Sequence, residues 1–466
     1  MSFFNEFLKL DIDSLPLKVV VIGDAMIDEY FNVSIKKISP EFPIPVMHSD
    51  HEVPLSLPGG AANVAYQFKN FNVKPYLISF IDDDFFRCFS KNLNLSFSKN
   101  IQIDSNLKIP RKKRFYNEDF PTYRWDVEAK NYGMEVDKLE KSCESLLQNA
   151  KRQNFDITIF SDYNKGIFYK NDQLINDIIK KSKVSIVDSK VGDLKKWKGC
   201  SVFKPNLQEA LSLSGCSDVK EAGRYLRREL ECQAVVITKS GDGVSIFTEE
   251  EEFEIIPERK SLAESVIGAG DCFTAFLAMC LGRGLDIKFA SNIAWKAGSI
   301  YVKSKHNKPI SRVDLLNGKI IEKGYEDFFL NRENRDFKLS FSNGCFDLLH
   351  VGHIASLEFA KSKSDKLVVA VNTDESVSRL KQGRPIIPLD QRMRLLAGLD
   401  CVDFVIQFDE DTPLNIIKKI QPDVLTKGQP YKKEEVIGFD IVPETYIGET
   451  PNVYTSDIIK KCQGKV

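Results

Sequence analysis

Two short segments of this 466-residue chain combine glycine with residues that can move protons or contact phosphate. In the first, Gly268, Ala269, Gly270 and Asp271 precede an apolar stretch with a helical pattern, residues 272–281. Small residues at a helix start let backbone N–H groups approach an anion, and the helix N-terminus favours negative charge. An aspartate at that place could take the proton of a hydroxyl that attacks the γ-phosphate of ATP. An ordinary helix cap is the alternative interpretation.

The second segment, residues 343–353, holds two of the five histidines, His350 and His353, on either side of Gly352. Residues at i and i+3 share one face of a helix, and imidazoles at a helix start can donate hydrogen bonds to a phosphoryl group. A zinc site is the alternative, but no nearby histidine or closely spaced cysteine completes four ligands. The ten cysteines include no Cys-x-x-Cys pair and are expected to be free thiols.

Both segments belong to regions where short apolar runs alternate with helical patterns, which is typical of α/β domains with parallel sheets. Residues 18–24 and 338–344 each combine a buried-strand pattern with a glycine turn. Further predicted strands are 155–161, 184–188, 201–204 and 234–238 in the first region, and 366–372, 404–407 and 424–427 in the second. Polar residues follow most of these strands, and α/β proteins bind ligands at the carboxyl ends of parallel strands.

The boundaries follow from the same patterns. Residues 317–337 are charged and aromatic and contain no strand run, so they are predicted to be a docked connector between a domain at 1–316 and one at 338–466. The acidic run at residues 249–252 is predicted to be an exposed hairpin turn.

The composition excludes several classes of protein. Lys plus Arg is 65 and Asp plus Glu is 66, a net charge of −1 that argues against a general nucleic-acid binder. With 42% hydrophobic and 28% charged residues, the chain is typical of a globular protein. No apolar run reaches the ~18–20 residues of a membrane span, and residues 1–10 lack a signal-peptide pattern. We expect a cytoplasmic protein with small-molecule partners and neither nucleic-acid nor membrane partners.

Further polar turns occur in an order that, over about residues 18–315, resembles the ribokinase-like (PfkB) sugar kinase family. They are Gly23–Asp24 with Asp28, residues 59–63, residues 204–206 with Glu209, and residues 238–243. Residues 38–46, 58–65 and 161–166 are similar to the kinase half of the bifunctional heptose kinase/adenylyltransferase family, which phosphorylates C1 of a heptose 7-phosphate.

This resemblance implies a ribokinase-like α/β/α sandwich with a small β lid, for which residues 44–53 and 111–127 are the candidates. It implies that Asp271 is the catalytic base and that the amides of Gly268, Ala269 and Gly270 form an anion hole. By the same carry-over, the nucleotide-binding residues would be Asn206, Glu209, Thr238 and Gly243, the sugar-binding residues Asp24, Asp28, Gly60 and Asn63, and the phosphate-binding cations Lys112, Arg124, Lys165 and Lys190. For each of these four cations, a solvated surface residue is the alternative.

Residues 343–353 match the Gly-x-Phe-Asp-x-x-His-x-Gly-His pattern of the cytidylyltransferase-like family throughout. Over about residues 336–463 the chain resembles the adenylyltransferase half of the same bifunctional family, which implies a Rossmann-like domain. His350 and His353 would stabilise the transition state at the α-phosphate, with Lys427 as a further catalytic residue. The implied nucleotide- and substrate-binding residues are Asn343, Gly344, Cys345, Phe346, Asp347, Lys381, Arg384, Arg392, Thr455 and Ser456.

Together the two resemblances imply ATP-dependent phosphorylation of heptose 7-phosphate at C1, and transfer of AMP from ATP to heptose 1-phosphate to give ADP-heptose and pyrophosphate. Such an enzyme serves lipopolysaccharide or capsule synthesis. Mg²⁺ is expected with the nucleotide phosphates, without direct protein ligands, and a homodimer is expected through the kinase domain. One alternative is the same architecture acting on another phosphosugar or polyol phosphate with CTP. Another is a degenerate kinase domain that serves as a dimerisation module.

The chain departs from the family patterns at a few positions, and these departures motivate the alternatives. Ile267 replaces the usual threonine before the glycine turn, and Cys272 replaces a common threonine after Asp271. Residues 306–309 replace a Gly-Thr step expected near the adenine pocket, and Gln429–Pro430 replaces Gly-Asp after Lys427–Gly428. The departure after Lys427 bears on nucleotide and substrate identity more than on reaction type, whereas Ile267 and the missing Gly-Thr step motivate a slow kinase, one with altered preference, or a degenerate kinase domain.

Overall fold

The chain forms two compact units, residues 1–310 and residues 311–466. The computed structural model describes residues 7–8, 10–11, 14–49, 54–90, 102–103, 107–118, 120–190, 193–256, 267–302, 308–315, 319–321, 323–324, 326–429, 431–449 and 451. Within these residues, every helix is too short or too polar to cross a membrane.

The first unit is built from strands interleaved with helices. Its strands are β1 (Leu17–Gly23), β2 (Ala25–Asn32), β3 (Ser34–Ile38), β4 (Pro45–His48), β5 (Leu55–Gly60), β6 (Val73–Ile78), β7 (Phe80–Ile81), β8 (Gln102–Ile103), β9 (Arg111–Asn117), β10 (Phe120–Val127), β11 (Ile157–Asp162), β12 (Val184–Ser189), β13 (Val202–Phe203), β14 (Ala234–Thr238), β15 (Val244–Phe247) and β16 (Glu252–Ile255). Its helices are α1 (Ala61–Tyr66), α2 (Asp83–Phe89), α3 (Val136–Lys151), α4 (Asp172–Lys181), α5 (Leu207–Ser214), α6 (Val219–Leu230), α7 (Ala269–Gly282) and α8 (Ile287–Tyr301).

The main sheet has the strand order β16-β15-β14-β13-β12-β11-β1-β6, in which the strands from β6 to β14 are parallel. Every residue of β11 is buried, as expected of a parallel strand covered on both faces. Helix α7 lies directly against this sheet, since a Cβ at Gly282 would come within 2.4 Å of Ile157 Cδ1. The strand order changes direction at β1, which lies between β6 and β11, so the carboxyl ends of β1 and β11 form a crevice suited to a ligand.

A smaller sheet of order β10-β9-β2-β5 forms the lid. Residues 111–127 supply β9 and β10 as predicted, and β2, which the sequence did not identify as a strand, pairs with β9. Residues 45–48 form a separate hairpin with β3, and residues 50–53 lie outside the described residues. The first three residues of the acidic run, 249–251, lie in the turn that joins the antiparallel strands β15 and β16, and Glu252 begins β16.

The second unit contains one parallel sheet with the order β19-β18-β17-β20-β21. Its strands are β17 (Leu339–Gly344), β18 (Lys366–Asn372), β19 (Phe404–Phe408), β20 (Val424–Gly428) and β21 (Glu444–Gly448), and its helices are α9 (Glu326–Leu330), α10 (Val351–Lys361), α11 (Asp374–Leu380), α12 (Leu389–Ala397) and α13 (Leu414–Ile420). This is a doubly wound order with its switch point between β17 and β20. The predicted ribokinase-like and Rossmann-like folds are confirmed.

The segment predicted as a connector packs on the second unit. Ile320 pairs in parallel with Val405 at the edge of the sheet. Farther along, the Arg335 guanidinium donates to the Ile420 carbonyl oxygen at 2.9 Å and to Asp423 Oδ2 at 2.9 Å. These contacts are why the segment belongs to this unit.

Candidate active sites

Asp271 lies in the first turn of α7 and is buried. Its Oδ2 accepts a hydrogen bond from Asn63 Nδ2 at 2.7 Å, and its Oδ1 accepts one from the Tyr163 hydroxyl at 2.7 Å. Burial raises the pKa of Asp271 to about 6, against the lowering effect of these two hydrogen bonds. The carboxylate is therefore mostly ionised at pH 7 and basic enough to accept a proton.

The glycine turn before Asp271 is shaped by its neighbours. Gly268 is the N-cap of α7 with φ of 74°, and a Cβ there would lie 2.7 Å from the Tyr301 hydroxyl oxygen and 2.9 Å from Asn63 Nδ2. Only glycine fits this conformation and this space. The first N–H groups of a helix have no intrahelical acceptor, so this turn offers donors to an anion.

A cavity of about 390 Å³ opens in front of this turn. It brings together the predicted base, the predicted anion hole, the predicted nucleotide-binding residues and one predicted cation. Its lining includes Asp188, Lys190, Lys204, Asn206, Glu209, Thr238, Gly243, Gly268, Ala269, Gly270, Asp271 and Trp295. The cavity has the volume of a small-molecule site and carries the few polar and charged groups that such sites use to hold a ligand.

Asn206 and Glu209 also cap α5 reciprocally. Asn206 Oδ1 accepts from the Glu209 N–H at 2.8 Å, and Glu209 Oε2 accepts from the Asn206 N–H at 2.8 Å. This capping box fixes both side chains at the rim of the cavity.

Beneath the glycine turn lies an ion pair that motif reasoning did not assign. Lys204 Nζ lies 3.0 Å from Asp188 Oδ2, and both side chains are buried. Burial lowers the pKa of Lys204, but the charge and hydrogen bond of Asp188 together with the charges of Glu209 and Asp271 raise it above its usual value, so the ammonium stays protonated. Lys204 and Asp188 lie at the carboxyl ends of β13 and β12, and that position is the signal that could have found them.

Two of the four predicted phosphate-binding cations lie beside the base. Lys190 Nζ is 3.8 Å from the centre of the Tyr163 ring, and Lys112 Nζ is 5.3 Å from it. Tyr163 in turn contacts Asp271. Tyr163 follows β11 and, like Lys204, was given no role by the sequence.

The other two cations are paired elsewhere, and like Lys112 they are not among the residues that line the cavity. Lys165 Nζ lies 2.5 Å from Glu128 Oε2, and Arg124 forms a two-point contact with Asp126 at 2.7 and 2.6 Å on the exposed strand β10. Their surroundings resemble those of surface cations.

Asp24 has no exposed surface, and its carboxylate is used by backbone N–H groups of residues 163 and 165. The predicted contact with sugar hydroxyls is corrected for this residue, because a side chain with no accessible area cannot reach a sugar.

The other predicted sugar-binding residues are also held by the protein. Asp28 is nearly buried, with Oδ1 2.6 Å from Arg114 Nη1. Gly60 has φ of 59°, and a Cβ there would lie 2.4 Å from the Asp24 carbonyl oxygen. Asn63 donates a hydrogen bond to Asp271, the predicted base.

In the second unit, His350 is the N-cap of α10 and His353 lies in its first turn. Their rings are stacked with centres 3.9 Å apart and planes 27° apart. A Cβ at Gly352 would lie 3.1 Å from His350 Cε1, so glycine leaves room for the stacked ring. The His-x-Gly-His spacing thus places two imidazoles together at a helix start beyond β17.

Both imidazoles are neutral at pH 7. Burial lowers the pKa of His350, and burial followed by the charges of His350 and Lys381 lowers the pKa of His353 to about 4. The Nδ1 atoms of both rings are buried without a hydrogen-bond partner among the described residues. A neutral ring protonated on Nε2 can donate to a phosphoryl oxygen from its open side.

Lys427 lies near the end of β20, next to the histidine segment across the switch point. Its Nζ donates to the carbonyl oxygen of Asn343 at 3.0 Å and to Asn343 Oδ1 at 3.1 Å. Burial, and then the charge of Lys381, lowers the pKa of Lys427 to about 8. Lys381 and Lys427 thus place positive charge beside the histidines, where a triphosphate would be held.

Asp347 shapes the neighbouring loop from a buried position. Its Oδ1 accepts from the N–H groups of Ile386 at 2.7 Å and Ile387 at 2.9 Å, and its Oδ2 accepts from Arg384 Nη1 at 3.1 Å. Arg384 therefore has a protein partner in this structure. Just before Asp347, Phe346 adopts a positive φ of 47°, uncommon for a bulky residue, and packs its ring 5.2 Å from His353.

Gly344 and Cys345 complete the strand end. A Cβ at Gly344 would lie 3.1 Å from Phe346 Cε2, and Cys345 Sγ lies 3.9 Å from Asn372 Oδ1. Thr455 and Ser456, together with Ser265, Val266, His306 and Asn307, lie outside the described residues.

Arg392 does not reach the site surface. The residue is fully buried, and it donates to the Cys345 carbonyl oxygen at 2.6 Å, to Asp374 Oδ1 at 2.6 Å and to the Ile387 carbonyl oxygen at 2.9 Å. The predicted phosphate contact is therefore corrected to a positioning role. Arg392 ties the loop after β17 to the loop that Asp347 holds.

Comparison with known proteins agrees with this geometry. A family model for pfkB family carbohydrate kinases matches residues 16–310, and a cytidylyltransferase-like model matches residues 341–444. Among similar curated proteins, those of Pseudomonas savastanoi pv. phaseolicola, Psychromonas ingrahamii and Helicobacter hepaticus are each named bifunctional protein HldE. They are 34%, 33% and 32% identical, and the matches cover 96%, 90% and 97% of this chain and 97%, 91% and 98% of theirs.

The chain belongs to the HldE family. The predicted sugar-phosphate kinase joined to a nucleotidyltransferase is confirmed, as is the resemblance to the bifunctional heptose enzyme. Among solved structures, Escherichia coli phosphofructokinase-2 matches in complex with fructose-6-phosphate at a TM-score of 0.52, and in its tetrameric inhibited form at 0.51. They are 16% and 17% identical and cover 65% of this chain and 97% of theirs, so they support the fold of the first unit in this HldE family member.

Proposed function

We propose that the first unit phosphorylates the C1 hydroxyl of heptose 7-phosphate with ATP, and that the second transfers AMP from ATP to heptose 1-phosphate. The observation that carries the first reaction is the buried carboxylate of Asp271 at the start of α7, directly after a glycine turn. The second reaction rests on the stacked pair His350 and His353 beside Lys427.

In the kinase reaction, Asp271 takes the proton of the C1 hydroxyl as its oxygen attacks the γ-phosphorus of ATP. The carboxylate is held by Asn63 and Tyr163, so one geometry is maintained for the attack. The amides of Gly268, Ala269 and Gly270 bind the phosphoryl oxygens, where charge develops in the transition state. Lys190 at the cavity wall adds positive charge.

Both families act on nucleoside triphosphates with a divalent metal, for which we propose Mg²⁺. In the kinase cavity, Asn206 and Glu209 offer the oxygen ligands that Mg²⁺ prefers. Among the residues that the structure describes, no group of three or more His, Cys, Asp and Glu side chains could hold a metal ion. When bound, Mg²⁺ neutralises phosphate charge.

In the transferase reaction, a phosphate oxygen of the sugar 1-phosphate attacks the α-phosphorus of ATP and pyrophosphate leaves. This nucleophile is already anionic, so no general base is required. His350 and His353 donate hydrogen bonds to the α-phosphoryl oxygens, and Lys427 and Lys381 offset the charge of the phosphates. Holding the two anions in line is a positioning task worth about 7–11 kcal/mol in well-oriented cases.

The test uses the purified full chain with Mg²⁺, and mass spectrometry detects the products. Heptose 7-phosphate with ATP is expected to give heptose 1,7-bisphosphate and ADP, and heptose 1-phosphate with ATP is expected to give ADP-heptose and pyrophosphate. Asp271→Asn should abolish only the first reaction, and Lys427→Ala only the second, so each variant controls for the other. Transfer from CTP but not ATP would contradict the donor, and failure of the first reaction alone would favour a kinase domain that serves dimerisation.

The exposed face of β10 is our candidate for the dimer surface. Phe120, Tyr123 and Trp125 are between half and three-quarters exposed, an unusual concentration of aromatic surface. A two-fold contact between two lids would bury it. Sedimentation velocity should show a dimer that Trp125→Glu dissociates, whereas Tyr225→Glu, at an exposed tyrosine on α6, should leave it intact.

A further inference from the structure

The carboxylate of Asp24 is the centre of a hydrogen-bonded loop in the first unit. Its Oδ2 accepts from the N–H groups of Tyr163 at 2.8 Å and Lys165 at 3.1 Å, and its Oδ1 accepts from the hydroxyl of Tyr132. Asp24 is wholly buried, so these groups replace the water that would otherwise solvate its charge. Residues 161–167, named here the Tyr163 loop, are wrapped around this side chain.

The conformation of the Tyr163 loop depends on such contacts. Asn164 has a positive φ of 59°, and its N–H donates to Asp162 Oδ1 at 3.0 Å. A left-handed residue outside glycine is held in place by its surroundings. Asp24 binds the backbone N–H groups of Tyr163 and Lys165, the residues on either side of Asn164. Its carboxylate therefore holds the loop in this conformation.

The loop places one side chain on the base. The Tyr163 N–H is bound to Asp24, while the Tyr163 hydroxyl donates to Asp271 Oδ1 at 2.7 Å. The centre of the same ring is 3.8 Å from Lys190 Nζ. A single residue thus connects the buried carboxylate after β1 to the base on α7 and to a cation of the cavity.

We propose that Asp24 is a positioning residue of the kinase, which holds the Tyr163 loop so that the Tyr163 hydroxyl orients Asp271. This inference rests on the proposed role of Asp271 as the base. It replaces a sugar contact for Asp24, because the side chain has no exposed surface and its oxygens are taken by the loop.

The electrostatics agree with this arrangement. Burial raises the pKa of Asp24, and burial raises that of Asp271 to about 6, whereas the Tyr163 hydroxyl lowers it. Loss of the Tyr163 hydrogen bond therefore raises the pKa of Asp271 further. The charged and titratable groups that face the two carboxyls are Asp162 and Tyr132 around Asp24, and Tyr163, Asp188, Lys190, Lys204, Lys112 and Tyr301 around Asp271.

The test measures kcat and KM of the kinase reaction with heptose 7-phosphate as functions of pH. Tyr163→Phe is expected to lower kcat about ten-fold and to move the acid limb up by about one pH unit, as for loss of one hydrogen bond to a charged group. Asp24→Asn should move the limb in the same direction, and the double variant should move it no further, since both act through one contact.

Asp156→Asn is the matched control. Asp156 Oδ2 likewise accepts from a backbone N–H, that of Lys18 at 3.0 Å, but at the amino-terminal ends of β1 and β11. This variant should leave the acid limb in place. An Asp24→Asn chain that keeps the wild-type limb and kcat, with only a higher KM for the sugar, would overturn the proposal.

Two further measurements keep the test decisive. If Asp24→Asn does not fold, an unchanged acid limb in Tyr163→Phe overturns the proposal by itself. Amide hydrogen exchange at residues 163 and 165 should accelerate in Asp24→Asn and not in Asp156→Asn, and unchanged exchange would also overturn it. Exchange needs no substrate, so failure of the wild-type chain to phosphorylate heptose 7-phosphate would count against the proposed function alone.

Discussion

The ammonium of Lys204 lies 3.0 Å from the carboxylate of Asp188, and both groups are buried beneath the glycine turn of α7. A Cβ at Gly270 would lie 3.9 Å from this ammonium, and both residues of the pair line the same cavity as the glycine turn, so the pair lies next to the proposed anion hole. The Thr274 hydroxyl gives the Asp188 carboxylate a second contact, 3.3 Å from Oδ2. The positive charge of Lys204 is thus held where phosphoryl oxygens would collect.

Lys204→Met should therefore impair both stability and nucleotide binding. Removing one partner of a buried pair leaves the other charge uncompensated, at a cost of about 3–5 kcal/mol. The three tryptophans, Trp125, Trp197 and Trp295, all lie in the first unit, so urea unfolding followed by tryptophan fluorescence reports on this unit. Lys198→Met is the control, because the Lys198–Glu231 pair at 2.9 Å is exposed and should contribute little. Equal stability of the two variants would contradict the structural role of the buried pair.

Gly268→Ala should abolish the kinase reaction and leave the transferase reaction intact. The added Cβ would press on Tyr301 and on Asn63, the residue that holds Asp271. Gly215→Ala is the control, because it adds the backbone strain of a residue with positive φ but no steric clash. Gly215 has a similar φ of 70°, but a Cβ there meets no atom within 4 Å, so its cost is about 1 kcal/mol. Assays of both reactions on both variants provide the measurement, and a kinase loss of equal size in Gly215→Ala would refute the clash.

The sequence predicted the parallel sheets well because buried strands carry a signal that needs no tertiary context. Continuous apolar runs located β11, β12, β14, β18, β19 and β20 to within a few residues of their bounds. It did not identify β2, whose polar residues Asp28 and Glu29 are buried by pairing with basic side chains of β9. Such a strand has no apolar alternation from which to predict it.

Site residues whose role depends on the shape of the backbone were predicted from the sequence. Site residues whose role depends on whether the side chain is buried were predicted less well. The glycine turn and the stacked histidines follow from spacing along a helix start. Asp24 and Arg392 also belong to recognisable motifs, but a motif does not tell whether a charged side chain faces the ligand or the interior. Cys272, which replaces a common threonine, is a further example, because it is fully buried and is not among the residues that line the cavity in front of the glycine turn.

Arg392→Lys should destabilise the second unit and leave the first unchanged. The guanidinium donates in three directions, to Cys345, Asp374 and Ile387, and a lysine ammonium cannot reproduce that fork. Loss of buried hydrogen bonds from a charged group costs about 1.5–3 kcal/mol each. Calorimetry should show the transition of the second unit at lower temperature. Lys381→Met, at an exposed residue beside the histidines, should instead raise KM for ATP without a shift of the transition.

The transferase should lose activity on the alkaline side and not on the acid side of neutrality. The pKa of His353 is lowered to about 4, so neither its charge nor its donor changes between about pH 6 and 7.5. The pKa of Lys427 is lowered to about 8, so this lysine loses its proton as the pH rises through that value, and kcat/KM should fall with it. Lys427→Arg stays charged and should remove the alkaline limb, although its maximal rate will be lower because the shape differs. The measurement is kcat/KM for ADP-heptose formation from about pH 6 to 9, and an acid limb near pH 6.5 would contradict the neutral state of the two histidines.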